Sequence, residues 1–305
     1  MKELYPMHGI ITTVNTPFRD DQSIHWADLR RTAEAALEAG VSGFLAPCFA
    51  SEMDYLSEEE RFQMAAELVA VVAEDGRDAI VLPNVRGPDA ASCVEQAKRY
   101  LDLGVSGINI FMPTTSEESY WELVEAVNAL HPPFLCLQDT KDNELRAPFV
   151  QAMFEQFDRF RCIKIETANP GPDYTAIRAA TGGRLNISGS WGSDQMIEAF
   201  DRGIHALMPS GLFELFVNVY RLYHEKSREA AMRLFFDILP ILVFTRQSDS
   251  VNLGFHKRYF QRLGLYTTVN FRGPYAMDRV QERYAGEMIG RALRIRERMD
   301  EYWLA

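Results

Sequence analysis

The sequence predicts an α/β protein, a closed (β/α)8 TIM barrel followed by an all-helical C-terminal extension. Eight short apolar segments alternate with helical stretches along most of the chain. No hairpin-type turn separates neighbouring apolar segments, which indicates parallel pairing of the predicted strands. From about Ser227 onward only helical patterns remain. We therefore predict a barrel over residues 1–226 and a helical extension over residues 227–305.

The first helix and its end show the repeat most clearly. Apolar residues recur at helical spacing from Trp26 to Ala39, and Gly40 then ends the predicted helix. The same Gly-Val-Ser-Gly sequence occurs at residues 40–43 and 104–107, each time before an apolar segment. The predicted strands are residues 9–14, 44–48, 79–83, 108–112, 133–138, 161–166, 185–189 and 205–209.

The extension is predicted to contain three helices, at residues 227–244, 251–263 and 274–302. An open doubly wound sheet is the alternative for the first part of the chain. Neither G-x-G-x-x-G nor G-x-x-x-x-G-K follows a predicted strand. The absence of both motifs removes the usual sequence sign of that alternative and favours the closed barrel.

Charge and hydropathy exclude several classes of partner. The 305 residues carry a net charge of −11 and contain no basic run, which argues against binding to nucleic acid or an anionic membrane. No apolar run reaches the roughly 18 residues of a spanning helix, and residues 1–8 do not resemble a signal peptide. We expect a cytoplasmic protein.

The four cysteines indicate core positions. They are isolated in the sequence and form no C-x-x-C pair, which argues against a disulfide framework or a zinc site. They are Cys48, Cys93, Cys136 and Cys162.

A pair of opposite charges lies inside an otherwise apolar strand, Arg161-Cys-Ile-Lys-Ile-Glu-Thr167. Successive side chains of a strand point to opposite faces, so Lys164 and Glu166 share one face while two isoleucines share the other. Gln138 alternates with leucines on the preceding strand in the same way. The remaining lysines occupy sequence surroundings that suit a solvated ammonium group: Lys2, Lys98, Lys141, Lys226 and Lys257.

A lysine held in a barrel mouth has a specific chemical use. Apolar surroundings disfavour the ammonium form, and the neutral amine can attack a carbonyl carbon. The resulting Schiff base stabilises negative charge on the neighbouring carbon. Glu166 could move a proton or merely hold the ammonium by charge, and the sequence leaves these roles open. A solvated ion pair at a sheet edge is the alternative, but a closed barrel has no edge strand.

The chain resembles the superfamily of dihydrodipicolinate synthase and N-acetylneuraminate lyase, which are class I Schiff-base lyases. The resemblance runs from Gly9-Ile-Ile-Thr-Thr-Val-Asn-Thr-Pro-Phe18 through Leu56-Ser-Glu-Glu-Glu-Arg61 to Lys257 and Gly264. It implies a (β/α)8 barrel with a helical extension and a Schiff base on Lys164. It also implies a homo-oligomer, commonly a tetramer.

Several positions depart from the synthase and neuraminate lyase pattern. Cys48-Phe-Ala-Ser-Glu52 replaces Gly-Thr-Thr-Gly-Glu, and Gln138-Asp139 replaces Tyr-Asn. Pro113-Thr-Thr115 replaces Pro-Tyr-Tyr, and Asn143 stands near the position of the arginine that grips the second substrate of the synthases. The resemblance therefore implies that the hydroxyl relay is missing and that lysine biosynthesis is not the function.

Another branch of the superfamily is more similar. Phe49-Ala-Ser-Glu52, Leu137-Gln-Asp139, Ile163-Lys-Ile-Glu-Thr167 and Ser190-Trp-Gly192 resemble the branch of L-2-keto-3-deoxyarabonate dehydratase. That resemblance implies acid/base roles for Glu166 and Gln138. Thr140-Lys-Asp142, where relatives often have Ala-Pro, is a local mismatch at the substrate end of the site.

The leading hypothesis is a dehydratase of a 2-keto-3-deoxy sugar acid, a small 2-oxo acid. Lys164 would condense with C2, Glu166 would take a C3 proton, and the C4 hydroxyl would leave as water. Backbone N–H groups near Ala50 and Ser51 would hold the carboxylate, with Gln138 and Ser190 as polar contacts. No metal or organic cofactor is expected.

Some assignments remain open at this point. Ser51 could instead cap the next helix, although Ser57 with Glu60 forms a better capping box and is assigned a structural role. A pyruvate-dependent aldolase and a non-catalytic binding barrel are the alternative functions. Three aromatic side chains could line a pocket or belong to the core: Phe49, Trp191 and Phe213.

Overall fold

The barrel consists of parallel strands only, and the prediction of its fold class is confirmed. The computed structural model describes residues 2–111, 116–140, 144–190 and 193–304. The strands are β1 Gly9–Thr13, β2 Gly43–Leu45, β3 Ile80–Leu82, β4 Asn84–Val85, β5 Ile108–Phe111, β6 Leu135–Gln138, β7 Phe160–Ile165, β8 Asn186–Gly189 and β9 Ala206–Leu207. They form one sheet in the order β3-β2-β1-β9-β8-β7-β6-β5-β4.

The barrel closes where β3 continues into β4. β3 and β4 lie at the two ends of the strand order, yet only Pro83 separates them in sequence. Proline has no N–H to donate to a ladder, and the chain forms one short strand on each side of it. The strand predicted at residues 79–83 corresponds to β3, and β4 lies beyond it. β3 pairs with β2, and β4 pairs with β5. Eight barrel positions result, as predicted.

Helices surround this sheet and continue into the extension. The barrel helices are α1 Trp26–Ala39, α2 Glu58–Asp75, α3 Ala90–Asp102, α4 Glu117–Asn128, α5 Ala147–Gln156, α6 Pro170–Ala180, α7 Met196–Asp201 and α8 Phe213–Arg221. The helices beyond them are α9 Arg228–Thr245, α10 Asp249–Arg262, α11 Arg279–Glu297 and α12 Met299–Leu304. No described helix is long and apolar enough to cross a membrane.

Local signals at the helix ends behave as the sequence indicates. Ser57 and Glu60 form the predicted capping box at the start of α2. Gly40 ends α1 with a φ of 97°, a left-handed conformation that glycine adopts without a Cβ penalty. The four cysteines are buried and unpaired. The boundary between residues 226 and 227 stays a prediction.

The third predicted helix of the extension is shorter than expected. α11 begins after Asp278, whose carboxylate accepts the N–H groups of Val280 and Gln281, and not at residue 274. Residues 274–278 form no regular element. The Ala276 N–H donates to Ser250 Oγ at 3.3 Å, and the Tyr275 ring lies edge-on to Tyr55 with ring centroids 6.0 Å apart. The apolar and charged composition of this segment looks helical, but its tertiary hydrogen bonds decide its conformation.

Candidate active site

A cavity of about 500 Å3 opens at the carboxyl ends of the strands. Parallel barrels place their chemistry at this end, where loops meet above the packed interior. Its floor contains Lys164 and Gln138, and its upper wall comes from residues 245–249, 252 and 253 of the extension. The cavity therefore has walls from both parts of the chain.

Lys164 lies on the floor of this cavity. β7 pairs with β6 and β8, and the register sets Lys164 beside Gln138 on one side and Ser188 on the other. The lysine is only 4% exposed, and its Nζ donates to Glu166 Oε2 at 3.2 Å. The predicted sharing of one face by Lys164, Glu166 and Gln138 corresponds to three side chains that line the same cavity.

Glu166 is the meeting point of three donors. Its Oε2 accepts from Gln138 Nε2 at 2.7 Å as well as from Lys164. Its Oε1 accepts from Ser190 Oγ at 3.0 Å. This arrangement suits an ionised carboxylate, which only accepts hydrogen bonds. A carboxylate held beside an amine can take a proton from it or from a carbon bound to it.

Two asparagines that the sequence reasoning missed orient Gln138. Asn109 Nδ2 donates to Gln138 Oε1 at 2.9 Å and also to Asn84 Oδ1. Because its oxygen is thus engaged, the amide of Gln138 presents its NH2 group to Glu166. A signal was available: Asn109 alternates with two isoleucines on β5, the pattern that drew attention to Lys164.

Asp139 holds the backbone of Glu166 through a hydrogen bond. Its Oδ1 accepts the Glu166 N–H at 2.6 Å, while its Oδ2 is buried without a partner among the described residues. Burial raises the pKa of this carboxyl to about 8, although the Glu166 N–H opposes the shift. Asp139 is therefore mostly protonated at neutral pH.

The Asp139→Asn variant should gain stability relative to the natural protein as pH rises from about 4 to about 8. Across this window the unfolded chain loses the Asp139 proton and the folded chain keeps it. Each pH unit then costs the natural protein up to about 1.4 kcal/mol in this contribution. Urea denaturation at pH 5 and pH 8 measures the difference. The exposed Asp102→Asn is the control, and an equal Asp139→Asn effect at both pH values contradicts the assignment.

The loop after β2 requires a correction. Ser51 donates its N–H to the Cys48 carbonyl at 3.0 Å, and its hydroxyl donates to the Val14 carbonyl at 2.6 Å. Ser51 is fully buried and does not line the cavity. The geometry therefore gives this residue structural partners in place of the predicted substrate carboxylate, and it does not cap α2. Ala50 does line the cavity, and the role of its N–H stays a prediction.

A pair of hydroxyls on the opposite wall was also missed. Thr13 Oγ1 and Ser210 Oγ are 2.7 Å apart, and both residues border the cavity at the ends of β1 and β9. Either hydroxyl can donate or accept, so the pair can follow the orientation of a substrate hydroxyl. Among the lining residues within the described ranges there is no tyrosine.

Lys257 was wrongly assigned to a solvated position. It is completely buried on α10, where its Nζ bonds Glu52 Oε1 and donates to the Asn270 carbonyl at 2.6 Å. The Glu52 carboxylate also accepts the N–H groups of Arg272 and Gly273, each at 3.0 Å. Burial lowers the pKa of Lys257 to about 8, against the effect of the Glu52 charge. Nothing in the helical sequence around Lys257 signals this burial.

The aromatic candidates separate into rim and core. Phe49 is 44% exposed and borders the cavity, whereas Phe213 is buried and stacks on Phe260 with ring centroids 5.7 Å apart. Ser190 lines the cavity, and its contact with a substrate stays a prediction. Several residues that the sequence singled out fall outside the described ranges: Pro113, Thr114, Thr115, Lys141, Asp142, Asn143, Trp191 and Gly192.

Comparison with known proteins supports the resemblance to the dihydrodipicolinate synthase superfamily. The model of the Dihydrodipicolinate synthetase family matches residues 6–129. A DapA-like lyase of Halobacterium salinarum, itself uncharacterised, is 24% identical over 237 residues, which cover 74% of this chain and 75% of that protein. The chain is thus similar in sequence to proteins of this family over part of its length.

Solved structures show the same fold. Dihydrodipicolinate synthase from Rhodopseudomonas palustris has a TM-score of 0.86 and 20% identity, covering 95% of this chain and 100% of that one. A prophage protein of the dihydrodipicolinic acid synthase family from E. coli K12, solved in complex with pyruvate, has a TM-score of 0.83 and 17% identity. It covers 94% of this chain and 99% of that one. Both carry the barrel and its helical extension over nearly the whole chain.

Proposed function

We propose that this protein is a Schiff-base-forming dehydratase of a 2-keto-3-deoxy sugar acid. The observation that carries the proposal is the position of Glu166, whose carboxylate accepts hydrogen bonds from Lys164, Gln138 and Ser190. The Glu166 carboxylate lies directly beside the amine that would hold the substrate, which supports a role as proton acceptor. The superfamily resemblance is consistent with Schiff-base chemistry. That the reaction is a dehydration is proposed in addition.

The covalent step requires a neutral Lys164 amine. Glu166 lies 3.2 Å from Nζ and can accept the ammonium proton as substrate enters. The amine then attacks C2 of the 2-oxo acid. Glu166 returns its proton to the former carbonyl oxygen, which departs as water and leaves an iminium ion beside an ionised Glu166. Because the iminium is itself the electron sink, we propose that no metal or organic cofactor takes part. Among the described residues, no group of three His, Cys, Asp or Glu side chains is placed to hold a metal ion.

Elimination follows from the same carboxylate. Glu166 removes a proton from C3, and the electrons form an enamine. The enamine then expels the C4 hydroxyl, which takes the proton back from Glu166 and leaves as water. Hydrolysis of the remaining iminium releases the 2-oxo product and restores Lys164. Gln138 keeps Glu166 oriented throughout, because Asn109 fixes its amide.

Glu166→Gln should lower dehydration about 10^2- to 10^4-fold, the range in which a single acid/base group acts. Gln has the same shape but cannot accept the C3 proton, whereas Lys164 can still form an imine. The measurements are turnover of candidate keto-deoxy acids and mass of the borohydride-trapped imine. Unchanged turnover would show that another group is the base.

A pyruvate-releasing aldolase is the second candidate. The E. coli K12 relative was solved with pyruvate, and cleavage of a C3–C4 bond would use the same Lys164 enamine. Incubation of the purified protein with a panel of keto-deoxy acids separates the two reactions by their products. Formation of pyruvate and an aldehyde would refute the dehydratase and support the aldolase.

A further inference from the structure

Arg86 lies at the rim of the cavity, directly after β4, with its backbone held from both sides. Its N–H donates to Gln96 Oε1 at 3.0 Å, and the Gln96 amide Nε2 donates back to the Arg86 carbonyl at 3.0 Å. Gln96 is 9% exposed on α3 and has both its amide groups occupied by this contact. One buried side chain thus fixes the backbone of a rim arginine.

The guanidinium of Arg86 is oriented as well. Its Nη1 donates to Asp54 Oδ2 at 3.0 Å, and its Cζ lies 5.4 Å from the centroid of the Phe111 ring. A guanidinium has five N–H donors, and the contact with Asp54 uses one of them within the described part of the chain. The side chain is 30% exposed, so its remaining donors are accessible to a ligand in the cavity.

The charges around the cavity favour an anionic ligand at this end. The cationic lining residues within the described ranges are Arg86, Lys164 and Arg246, against Glu166 and Asp249. Lys164 would carry the substrate covalently. Arg86 and Arg246 each pair with an aspartate, but Asp54 is 48% exposed and Asp194 is 18% exposed, so the Arg86 pair is the more solvated and the weaker of the two. The chain as a whole carries a net charge of −11, so a local excess of positive charge is not a consequence of its composition. Arg86 is therefore the cation placed to receive a group of the substrate.

Position separates Arg86 from the carboxylate next to the reacting carbon. Arg86 follows β4 and Lys164 lies on β7, three strand positions away in the sheet. Neighbouring strands are about 4.8 Å apart, which gives about 14 Å between the two backbones along the barrel wall. The long Lys164 and Arg86 side chains both line the cavity and shorten the gap that a substrate must span. The C1 carboxylate is bonded to C2 and stays beside Lys164. A group held by Arg86 belongs to the other end of the substrate.

We propose that Arg86 forms a second anion subsite that selects a 2-oxo dicarboxylic acid by binding its terminal carboxylate. Planar guanidinium and carboxylate groups pair through two parallel hydrogen bonds, which suits a fixed arginine. The inference rests on the proposed Schiff-base function and names the substrate class: a 2-keto-3-deoxy sugar acid oxidised to a carboxylate at its far end.

The test uses two probes of equal chain length, 2-oxopentanoate and 2-oxoglutarate, which differ in the terminal carboxylate. The natural protein is incubated with each probe and borohydride, and the labelled fraction at Lys164 is measured by mass spectrometry. We expect half-maximal labelling at a roughly ten- to hundredfold lower concentration of 2-oxoglutarate, the scale of a charged hydrogen-bonded contact. Arg86→Gln should abolish this preference while labelling by 2-oxopentanoate persists.

The outcomes distinguish failure of the Schiff-base function from failure of the Arg86 subsite. No labelling by either probe would refute the Schiff-base function itself. Equal labelling of the natural protein by both probes would refute the subsite alone. Loss of labelling by both probes in folded Arg86→Gln would overturn the assignment, because Arg86 would then act at the C1 carboxylate. Arg283→Gln, with a side chain 72% exposed on α11, is the matched control and should retain the full preference.

Discussion

Replacement of Lys164 by arginine should abolish turnover and eliminate the borohydride-trapped adduct. Arginine keeps a positive charge and can still donate to Glu166, but it stays protonated and cannot attack a carbonyl carbon. The expected loss is roughly 10^4-fold or more, the scale of removing a covalent nucleophile. Measurements are turnover of 2-keto-3-deoxy acids and intact mass after reduction with pyruvate.

The control for this variant is its fold. Lys164→Arg places a larger side chain at a buried position, so circular dichroism and thermal unfolding must accompany the assay. An adduct on the folded variant would show that another amine reacts. If the natural protein forms no adduct across a broad panel of 2-oxo acids, the alternative of a non-catalytic binding barrel gains support in place of both lyase functions.

Lys257→Met should destabilise the protein by about 3–5 kcal/mol, the cost typical of breaking a buried ion pair. Among the described residues, the substitution leaves the buried Glu52 carboxylate with two backbone N–H donors, those of Arg272 and Gly273. Urea denaturation of the variant and the natural protein at pH 7 gives the difference in free energy of unfolding.

Two further variants make this prediction specific. Lys98→Met is the matched control, because that lysine is 50% exposed and bonds an exposed glutamate, Glu95; its effect should be below about 1 kcal/mol. The double variant Glu52→Gln with Lys257→Met should recover part of the lost stability, since it removes the unpaired charge. If Lys257→Met behaved like Lys98→Met, the buried pair would contribute little.

Much of the barrel was predictable because its determinants are local. Apolar strands, the glycine at the end of α1 and the capping box of α2 each act within a few residues, and the parallel topology then follows from the missing hairpin turns. The start of α11 was not predictable in this way. Residues 274–278 have a helix-compatible composition, but partners that are distant in sequence hold them: Tyr55 contacts the Tyr275 ring, and Ser250 accepts the Ala276 N–H.

In the candidate site too, the residues with a local sequence signal were predictable and those that depend on long-range contacts were not. Lys164, Glu166 and Gln138 were found because a polar side chain in an apolar strand is costly to bury and needs a reason. Asn109 carried the same signal and was overlooked. The burial of Lys257 depends on Glu52, which lies far away in sequence, and the internal bonding of Ser51 depends on Val14. Neither contact has a local pattern.

The upper wall of the cavity has a consequence for how such a protein can diversify. Lys164 and Gln138 lie on barrel strands, with Glu166 and Ser190 directly after their strands. Residues 245–249, 252 and 253 of the extension close the opposite side of the cavity. Substitutions there can reshape the space around a substrate's tail and leave Lys164, Glu166 and Gln138 unchanged. One reaction can thus acquire new substrates through changes in a part of the chain that takes no part in bond making.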